Sequence, residues 1–293
     1  DPFSFQYRLK GENSWISVDA VRNGNQLTAA INGLTPGKTY EYRAVSGTTH
    51  SSTTLEFTTE SEFIIPNAGF ENFHTKNKVL LMYGSGESMW WDSGNHGSAT
   101  LNKNITTQDT SIKNSGNSSL KMKSQFVGVG SIGKFAAGNV FAGTYSGTDG
   151  TNGILDFGRP FNSRPSKLKG YYKYVTGEVD YSETNSLPKG SPNDVGSIYV
   201  AIGDWEKPVH ITTKDKNLFS KDDEHIIGYG EILQTANTEG DGLIPFTIDI
   251  EYRSTDRVPT YIILVASASF YGDYFTGSSA STMWLDDLEF VYE

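Results

Sequence analysis

The sequence predicts an all-β protein, built as a β-sandwich. The closing stretch, residues 281–292, alternates large apolar and polar side chains with a period of two, which is typical of a strand. Similar short stretches recur along the chain and are separated by turns rich in Gly, Ser, Thr and Asn. The chain also contains 16 Tyr and 16 Phe, residue types that favour strands. A helix is indicated only around Ser220 and Asp223, where two glycines soon follow and would keep it short.

Composition excludes several classes of partner. The chain of 293 residues has 24 Lys and Arg against 34 Asp and Glu, a net charge of −10. Such acidity argues against binding to nucleic acid or to anionic membranes, both of which require clustered positive charge. No apolar run is long enough to span a bilayer, so we expect no transmembrane segment. Cysteine is absent, which excludes disulfides and thiolate metal sites.

The first 60 residues predict a small β domain of their own. Strand patterns begin at Phe3–Leu9, and Arg22-Asn-Gly-Asn25 is a strong hairpin signal. The stretch Leu34-Thr-Pro-Gly-Lys-Thr-Tyr40-Glu-Tyr-Arg-Ala-Val45 resembles the tyrosine corner and following strand of fibronectin type III domains. Because such a sandwich needs roughly 100 residues, we expect this one to be partial, with about two strands preceding Asp1. A short polar junction then places the predicted boundary between residues 1–60 and 61–293.

The second domain is predicted to consist of strands joined by long polar loops. Its opening segment, Pro66-Asn-Ala-Gly-Phe-Glu71, indicates a turn that leads into a strand, which we expect to pair with the closing strand in one sheet. The other predicted strands are 79–83, 88–92, 119–126, 135–145, 167–175, 196–205, 226–233, 244–252 and 260–269.

The closing strand predicts a buried carboxylate. Alternation places five side chains on the core face, namely Trp284, Asp286, Leu288, Phe290 and Tyr292. A buried, unpaired carboxylate is costly, and Glu71 in the opening segment would bring a second like charge beside it. We therefore predict a structural Ca²⁺ held by Glu71 and Asp286. The alternative is that Asp286 accepts hydrogen bonds from backbone N–H groups or from a Lys or Arg.

Several longer motifs of the second domain resemble a known family. The segments that carry the resemblance are Phe135-Ala-Ala-Gly-Asn-Val-Phe-Ala-Gly143, Asp156-Phe-Gly-Arg-Pro-Phe161, Arg164-Pro-Ser-Lys-Leu-Lys-Gly-Tyr-Tyr-Lys-Tyr174, Ile202-Gly-Asp-Trp205, Ser267-Ala-Ser-Phe-Tyr-Gly-Asp-Tyr-Phe-Thr-Gly-Ser278 and Trp284-Leu-Asp-Asp287. Through these segments the chain resembles, over residues 63–293, the putative carbohydrate metabolism domain of surface proteins of gut Bacteroidetes. The two ends of this domain also resemble those of jelly-roll carbohydrate-binding modules. The resemblance implies a jelly-roll β-sandwich, export to the cell surface and a role around glycans.

Three groups of residues are candidates for sugar binding, because a flat ring stacks on a pyranose while a carboxylate binds its hydroxyls. They are Trp90, Trp91 and Asp92; Asp204 and Trp205; and Tyr271, Asp273 and Tyr274. Adjacent strand residues face opposite ways, so one of the first two tryptophans belongs to the core. The aromatic residues of the third group could equally cover the open end of the sandwich.

The sequence-based interpretation is non-catalytic binding of an oligo- or polysaccharide at the outer-membrane or extracellular surface, alongside other glycan-utilisation proteins. One alternative is a glycoside hydrolase, which would need two convergent carboxyl groups. The candidates for such a pair are Asp92, Asp156, Asp204, Glu206, Glu231 and Asp273. A second alternative is a structural or adhesin module without an aromatic platform. The five histidines show no zinc-ligand spacing, so we expect no zinc.

Overall fold

The computed structural model describes residues 3–47 and 50–292. The chain divides into two compact units, Asp1–Phe63 and Ile64–Glu293. This division falls three residues beyond the predicted boundary. The strands predicted to precede Asp1 lie outside the described residues.

The first unit is a small antiparallel sheet with a separate hairpin. Its strands are β1 (Phe3–Leu9), β2 (Ile16–Asp19), β3 (Val21–Asn23), β4 (Gln26–Thr28), β5 (Thr39–Ser46), β6 (His50–Ser51) and β7 (Leu55–Thr58). The sheet order is β2-β1-β5-β6, β7 also pairs with β5, and β3 pairs with β4 across the predicted Asn-Gly turn. Tyr40 is buried, and its hydroxyl accepts a hydrogen bond from the Thr35 N–H at 2.9 Å. This is the contact expected of a tyrosine corner. The likeness to fibronectin type III domains stays a prediction.

The second unit is a jelly-roll β-sandwich. Its strands are β8 (His74–Lys76), β9 (Val79–Leu81), β10 (Trp91–Asp92), β11 (Thr106–Asp109), β12 (Ser119–Lys123), β13 (Gln125–Val129), β14 (Ile132–Ala136), β15 (Asn139–Asp149), β16 (Asn152–Phe157), β17 (Arg159–Pro160), β18 (Lys167–Val175), β19 (Gly196–Gly203), β20 (Val209–Thr212), β21 (Ile226–Gln234), β22 (Ile244–Asp249), β23 (Glu251–Tyr252), β24 (Tyr261–Ser267) and β25 (Thr282–Val291). The larger sheet has the order β20-β16-β15-β24-β19-β21-β23, with β10 on β15 and β17 on β24; the smaller has the order β11-β12-β25-β18-β22. Two ribbons, β8–β9 and β13–β14, pair only within themselves among the described strands. The all-β prediction is confirmed.

Helical structure is sparse in the described residues. It consists of α1 (Asn95–Ser98) and the 3-10 turns Ala99–Leu101 and Phe270–Tyr274. The short helix expected near Ser220 does not form; turns occupy that stretch instead. Within the described part of the chain, no helix has the length and apolar character needed to cross a bilayer.

The core between the two sheets forms around β19, which is buried along its whole length. Its even-numbered residues face the smaller sheet: a Cβ added to Gly196 would lie 2.7 Å from the Tyr174 ring and 2.8 Å from Met283. Its odd-numbered residues, including Tyr199, belong to a second apolar cluster on the opposite face of the larger sheet. Apolar side chains therefore pack on both faces of the larger sheet. The candidate site lies on the face that is turned away from the smaller sheet.

The closing strand does not keep the predicted alternation. Met283 and Leu285 are fully buried and pair with the buried residues of β12, so their side chains face the core. Trp284 faces the other way, where Lys121 lies over its ring at 5.2 Å. A β-bulge at Asp287, whose φ is +49°, then reverses the phase, so that Leu288 and the residues after it follow the prediction. The predicted core-face position of Trp284 and Asp286 is therefore wrong, although both are buried.

The two ends of the second unit meet, but not as paired strands. The Leu288 N–H donates to the Ala68 carbonyl at 3.1 Å, and residue 68 belongs to a turn. The first strand after that turn, β8, pairs with β9. The expectation of neighbouring end strands in one sheet is wrong because the opening segment stays a turn.

Candidate functional site

A cavity of about 1130 Å³ lies on the face of the larger sheet that is turned away from the smaller sheet. Side chains of β15, β16, β19, β21 and β24 form its floor. Its walls are formed by the β13–β14 ribbon, residues of the stretch 94–101, the turn between β15 and β16, the segment 218–221, and the first part, 269–275, of the segment 269–278. We call this last segment the rim segment. The size is at the upper end of the range for small-molecule sites, which is enough for an oligosaccharide.

Aromatic rings dominate the cavity lining. Tyr199 on the floor stacks on Phe219 in the wall, with ring centroids 5.1 Å apart and planes 12° from parallel. Tyr199 is 9% exposed and its ring is stacked against Phe219, so this pair is part of the apolar floor, whereas the partly exposed rings of Tyr271 and Tyr274 are the ones that a pyranose could reach. A mostly apolar lining with a few polar groups is typical of ligand sites. The aromatic lining residues are Phe135, Tyr145, Phe157, Tyr199, Phe219, Tyr229, Phe270, Tyr271, Tyr274 and Phe275.

The sequence of the rim segment explains its shape. Phe270–Tyr274 forms a 3-10 turn, in which the Gly272 N–H donates to Ser269 O at 3.0 Å. A Cβ on residue 272 would lie 2.3 Å from the Ala137 side chain, so only glycine allows this close approach to the β13–β14 ribbon. The turn ends at Phe275, which has φ +52°. As a result Tyr271, Asp273 and Tyr274 all line the cavity and are partly exposed, and their role as a sugar-binding rim stays a prediction.

Asp273 is the carboxyl group of the cavity whose pKa is shifted. Burial raises the pKa of its carboxyl to about 6, and the Lys216 ammonium opposes that shift. The Lys216 Nζ donates to the Asp273 backbone carbonyl at 3.2 Å and lies over the Tyr274 ring at 4.9 Å. No hydrogen bond from a described residue stabilises the ionised carboxylate. A partly exposed carboxyl group without such hydrogen bonds is available to bind a ligand.

Glu231 on β21 is a second carboxylate in the cavity. Lys221 Nζ lies 2.8 Å from Glu231 Oε1, and the Tyr229 hydroxyl donates to Oε2 at 3.1 Å. Glu231 stands directly opposite Tyr199 in the β19–β21 register, so the two side chains share a face. Asp273 also acts on this ring, because its charge contributes to raising the pKa of Tyr199 well above its usual value, after the larger effect of burial.

The structure contradicts a sugar-stacking role for Trp90 and Trp91. Trp91 is fully buried, and its Nε1–H donates to Pro66 O at 2.8 Å. Trp90 is 9% exposed and packs edge-to-face on Trp91 with centroids 4.4 Å apart. Both border a smaller cavity of about 400 Å³, but neither offers an open ring face. Asp92 is buried and accepts from the N–H groups of Ser93 and Tyr145 at 2.9 and 2.8 Å, so its oxygens are already engaged.

Trp205 and Asp204 are likewise structural. Trp205 is 6% exposed, belongs to the apolar cluster, and donates to Asp223 Oδ2 at 3.2 Å. Asp204 forms an ion pair with Arg257 and lies 3.0 Å from His225 Nδ1. The hydrogen bond from Arg257 is the main cause that holds the pKa of Asp204 below its usual value. Neither residue lines the large cavity.

The carboxylates of Glu71 and Asp286 organise a loop of the backbone. Asp286 Oδ2 accepts from the Asn114 N–H at 2.8 Å, and Glu71 accepts from the Asn117 N–H at 2.9 and 3.0 Å. A Cβ on Gly69 would lie within 3.9 Å of both acids, so the ends do converge here. The described residues contain no group of three or more His, Cys, Asp or Glu arranged to hold a metal ion. The residues therefore fit the hydrogen-bonding alternative, and calcium stays a prediction.

Sequence reasoning missed the floor of the cavity. It predicted strands over 196–205 and 226–233, but not which faces of Tyr199 and Tyr229 would be covered by distant segments. Glu231 appeared only as one of six carboxylates. The period-two pattern Tyr229, Glu231, Leu233 was the available signal, since all three line the cavity.

Comparison with known proteins supports the fold and the family. The model of the family described as "Putative carbohydrate metabolism domain" matches residues 68–291. A solved structure from Bacteroides thetaiotaomicron, described as a putative glycoside hydrolase, is similar with a TM-score of 0.62 and 19% identity, covering 98% of this chain and 96% of that one. A second, from Bacteroides vulgatus and described in the same words, has a TM-score of 0.56 and 26% identity, covering 77% of this chain and 97% of that one. A comparison with curated proteins finds no match.

Proposed function

The chain belongs to the putative carbohydrate metabolism domain family, and from that premise we propose that it binds an oligo- or polysaccharide in the large cavity of the second unit. The observation that carries the proposal is the cavity lining, which combines partly exposed aromatic rings with a carboxylate that accepts no hydrogen bond from a described residue. Rings supply stacking surface, and Asp273 accepts hydrogen bonds from sugar hydroxyls. The rim residues Tyr271 and Tyr274 are the accessible members of this lining.

A glycan array with the whole chain, followed by titration calorimetry with the best ligand, tests the proposal. Tyr274→Ala should weaken binding by about 1 to 3 kcal/mol, if stacking on a sugar is worth what stacking on a nucleobase is worth. Tyr171→Ala is the matched control, because Tyr171 is a partly exposed tyrosine on the smaller sheet. Equal affinities of wild type, Tyr274→Ala and Tyr171→Ala would exclude the rim as the binding site.

Hydrolysis of the bound glycan is the second candidate function. It is supported by the raised pKa of Asp273 beside a second carboxylate in one cavity, and by the name of the 26% identical structure from Bacteroides vulgatus. Release of new reducing ends from the array ligand, measured over time, separates hydrolysis from binding alone.

Display at the cell surface, next to other glycan-utilisation proteins, is part of the same proposal. It follows from the family resemblance, and the acidic net charge of −10 is compatible with it. Protease treatment of intact cells should remove the protein if it is displayed, while an intracellular marker stays intact. Protection of the protein in intact cells would contradict display.

A further inference from the structure

Asp273 and Glu231 are the acidic side chains among the described residues that line the large cavity. They come from elements far apart in the chain: Glu231 from the middle of β21 and Asp273 from the rim segment. Both line the same cavity as Tyr199, and Glu231 stands directly opposite that residue in the strand register. The fold thus brings two carboxyl groups to one aromatic floor.

The two carboxyl groups lie in opposite environments. Asp273 has no hydrogen bond to its carboxyl group from a described residue, so nothing but the nearby Lys216 charge favours its ionised form. Glu231 accepts hydrogen bonds from the Lys221 ammonium and the Tyr229 hydroxyl. The two carboxyl groups thus differ in their donors, and a pair of carboxyl groups in different environments is what acid–base catalysis requires.

We infer that Asp273 is the general acid and Glu231 the general base of glycoside hydrolysis in this cavity, an inference that rests on the glycan binding proposed above. In the step, the Asp273 proton passes to the glycosidic oxygen while the bond between that oxygen and the anomeric carbon breaks, and the bonding electrons stay on the oxygen. A water molecule bonds to the anomeric carbon, and its proton passes to Glu231. The products are a free alcohol and a hemiacetal, and no oxidant or metal takes part.

The pKa of Asp273, about 6, agrees with this role. A carboxyl group with that pKa is about half protonated at pH 6 and about one-tenth protonated at pH 7. The charged and titratable groups around it are Lys216 on its backbone carbonyl, Lys134 over the Phe275 ring at 4.7 Å, Tyr199 on the floor, and Glu231. Lys134 is paired with Glu183 at 2.5 Å. The Lys216 ammonium is the cation that lowers the pKa of Asp273.

Two kinds of substrate distinguish a general acid from a binding residue. The first is the unactivated oligosaccharide found on the array; the second is a panel of dinitrophenyl glycosides of common hexoses and pentoses. A dinitrophenolate leaves without being protonated, so the acid matters only for the first kind. Asp273→Asn should lower kcat/KM by about 100-fold or more on the oligosaccharide and much less on the dinitrophenyl glycoside. Glu231→Gln should lower both by a similar factor.

Matched controls are available on the surface. Asp241→Asn and Glu239→Gln make the same chemical changes at exposed positions outside the cavity, and both should keep wild-type rates. Asp273→Asn removes no hydrogen bond made by a described residue, so we expect the variant to fold, and a melting temperature close to wild type checks this. For wild type, kcat/KM on the oligosaccharide should fall as pH rises through about 6, and this fall should be absent with the dinitrophenyl substrate.

The outcomes separate the two proposals. Binding of the array ligand without release of reducing ends or dinitrophenol would overturn the catalytic assignment and leave glycan binding intact. Equal losses for Asp273→Asn on both substrate kinds would overturn the role of Asp273 as an acid. Failure of every glycan to bind would remove the proposed function itself. Selective loss on the unactivated substrate, with both controls active, supports the inference.

Discussion

Asp286 makes the stability of the protein depend on pH. Burial raises the pKa of this carboxyl to about 6, the Asn114 N–H opposes the shift, and the charge of Asp287 adds to it. The ordinary value is 3.8, so between about pH 4 and pH 6 the folded state holds more protons than the unfolded state. The free energy of unfolding should therefore be larger below pH 4 and fall as pH rises to 6, by on the order of 2 kcal/mol from this group.

Asp286→Asn should remove this pH dependence, since the amide does not titrate. We expect the difference in unfolding free energy between wild type and variant, measured in urea, to change steadily from pH 4 to pH 6. Asp249→Asn, at an exposed position, is the control and should show a constant difference. A constant difference for Asp286→Asn as well would contradict the prediction.

Calcium, if it binds Glu71 and Asp286, would reverse that behaviour. A divalent cation favours the ionised form of both carboxylates, so it would lower their pKa and stabilise the fold at neutral pH. The prediction is that a chelator lowers the melting temperature at pH 7 and that added Ca²⁺ restores it. If neither the chelator nor added Ca²⁺ changes the melting temperature, calcium does not bind here. The two carboxylates are then stabilised by the hydrogen bonds from Asn114 and Asn117.

Among the structural elements, the rim segment depends on one buried carboxylate. Asp194 is fully buried, and its Oδ2 accepts from the Ser269 hydroxyl at 2.6 Å, the Ser278 N–H at 2.8 Å and the Ser281 hydroxyl at 2.8 Å. The two ends of the rim segment are thus joined through one oxygen atom. Burial raises the pKa of Asp194, and these neutral donors oppose that shift.

Asp194→Ala should therefore loosen the rim and destabilise the fold. It leaves several buried donors without an acceptor, at about 1 to 3 kcal/mol each, so we expect a loss of at least about 3 kcal/mol in urea unfolding. Asp194→Asn keeps one acceptor oxygen and should cost less. Limited proteolysis should cut the Asp194→Ala variant within 270–277 faster than wild type. Equal cleavage rates and equal stability would show that the rim is held by other contacts.

The sequence predicted where the strands lie more accurately than which of their side chains face the core. Periodicity located most of the long strands, because alternation is a local property of the chain. It failed at β25, where the bulge at Asp287 places a non-glycine residue at φ +49° and no neighbouring residue signals it. It also failed for Trp91 and Trp205, whose burial is decided by strands and loops distant in sequence. Tyr274 and Asp273 do line the cavity, and the Gly-containing aromatic turn that carries them is a local signal; their part in binding stays a prediction.

At the scale of the whole molecule, the cavity is a product of topology. Its floor comes from five strands and its walls from several segments far apart in sequence, and no single stretch contains enough of it to be recognised. The family resemblance supplied what periodicity could not, namely the expectation of a jelly-roll concerned with glycans. The residues proposed for binding come from the geometry, since the sheet face that carries Tyr199 is the one covered by the rim segment.

The last prediction concerns whether the first unit contributes to glycan binding by the second. The second unit contains both large sheets, their shared core, the cavity and both of its carboxylates. A unit with its own core is expected to fold alone, so the chain 64–293 should unfold cooperatively and bind the array ligand with a dissociation constant within about a factor of two of the full chain. The first unit would then contribute nothing to recognition. The measurement is calorimetry on the full chain and the truncated chain in one buffer, with circular dichroism as the check on folding. A folded truncated chain that binds much more weakly would instead give the first unit a part in the site.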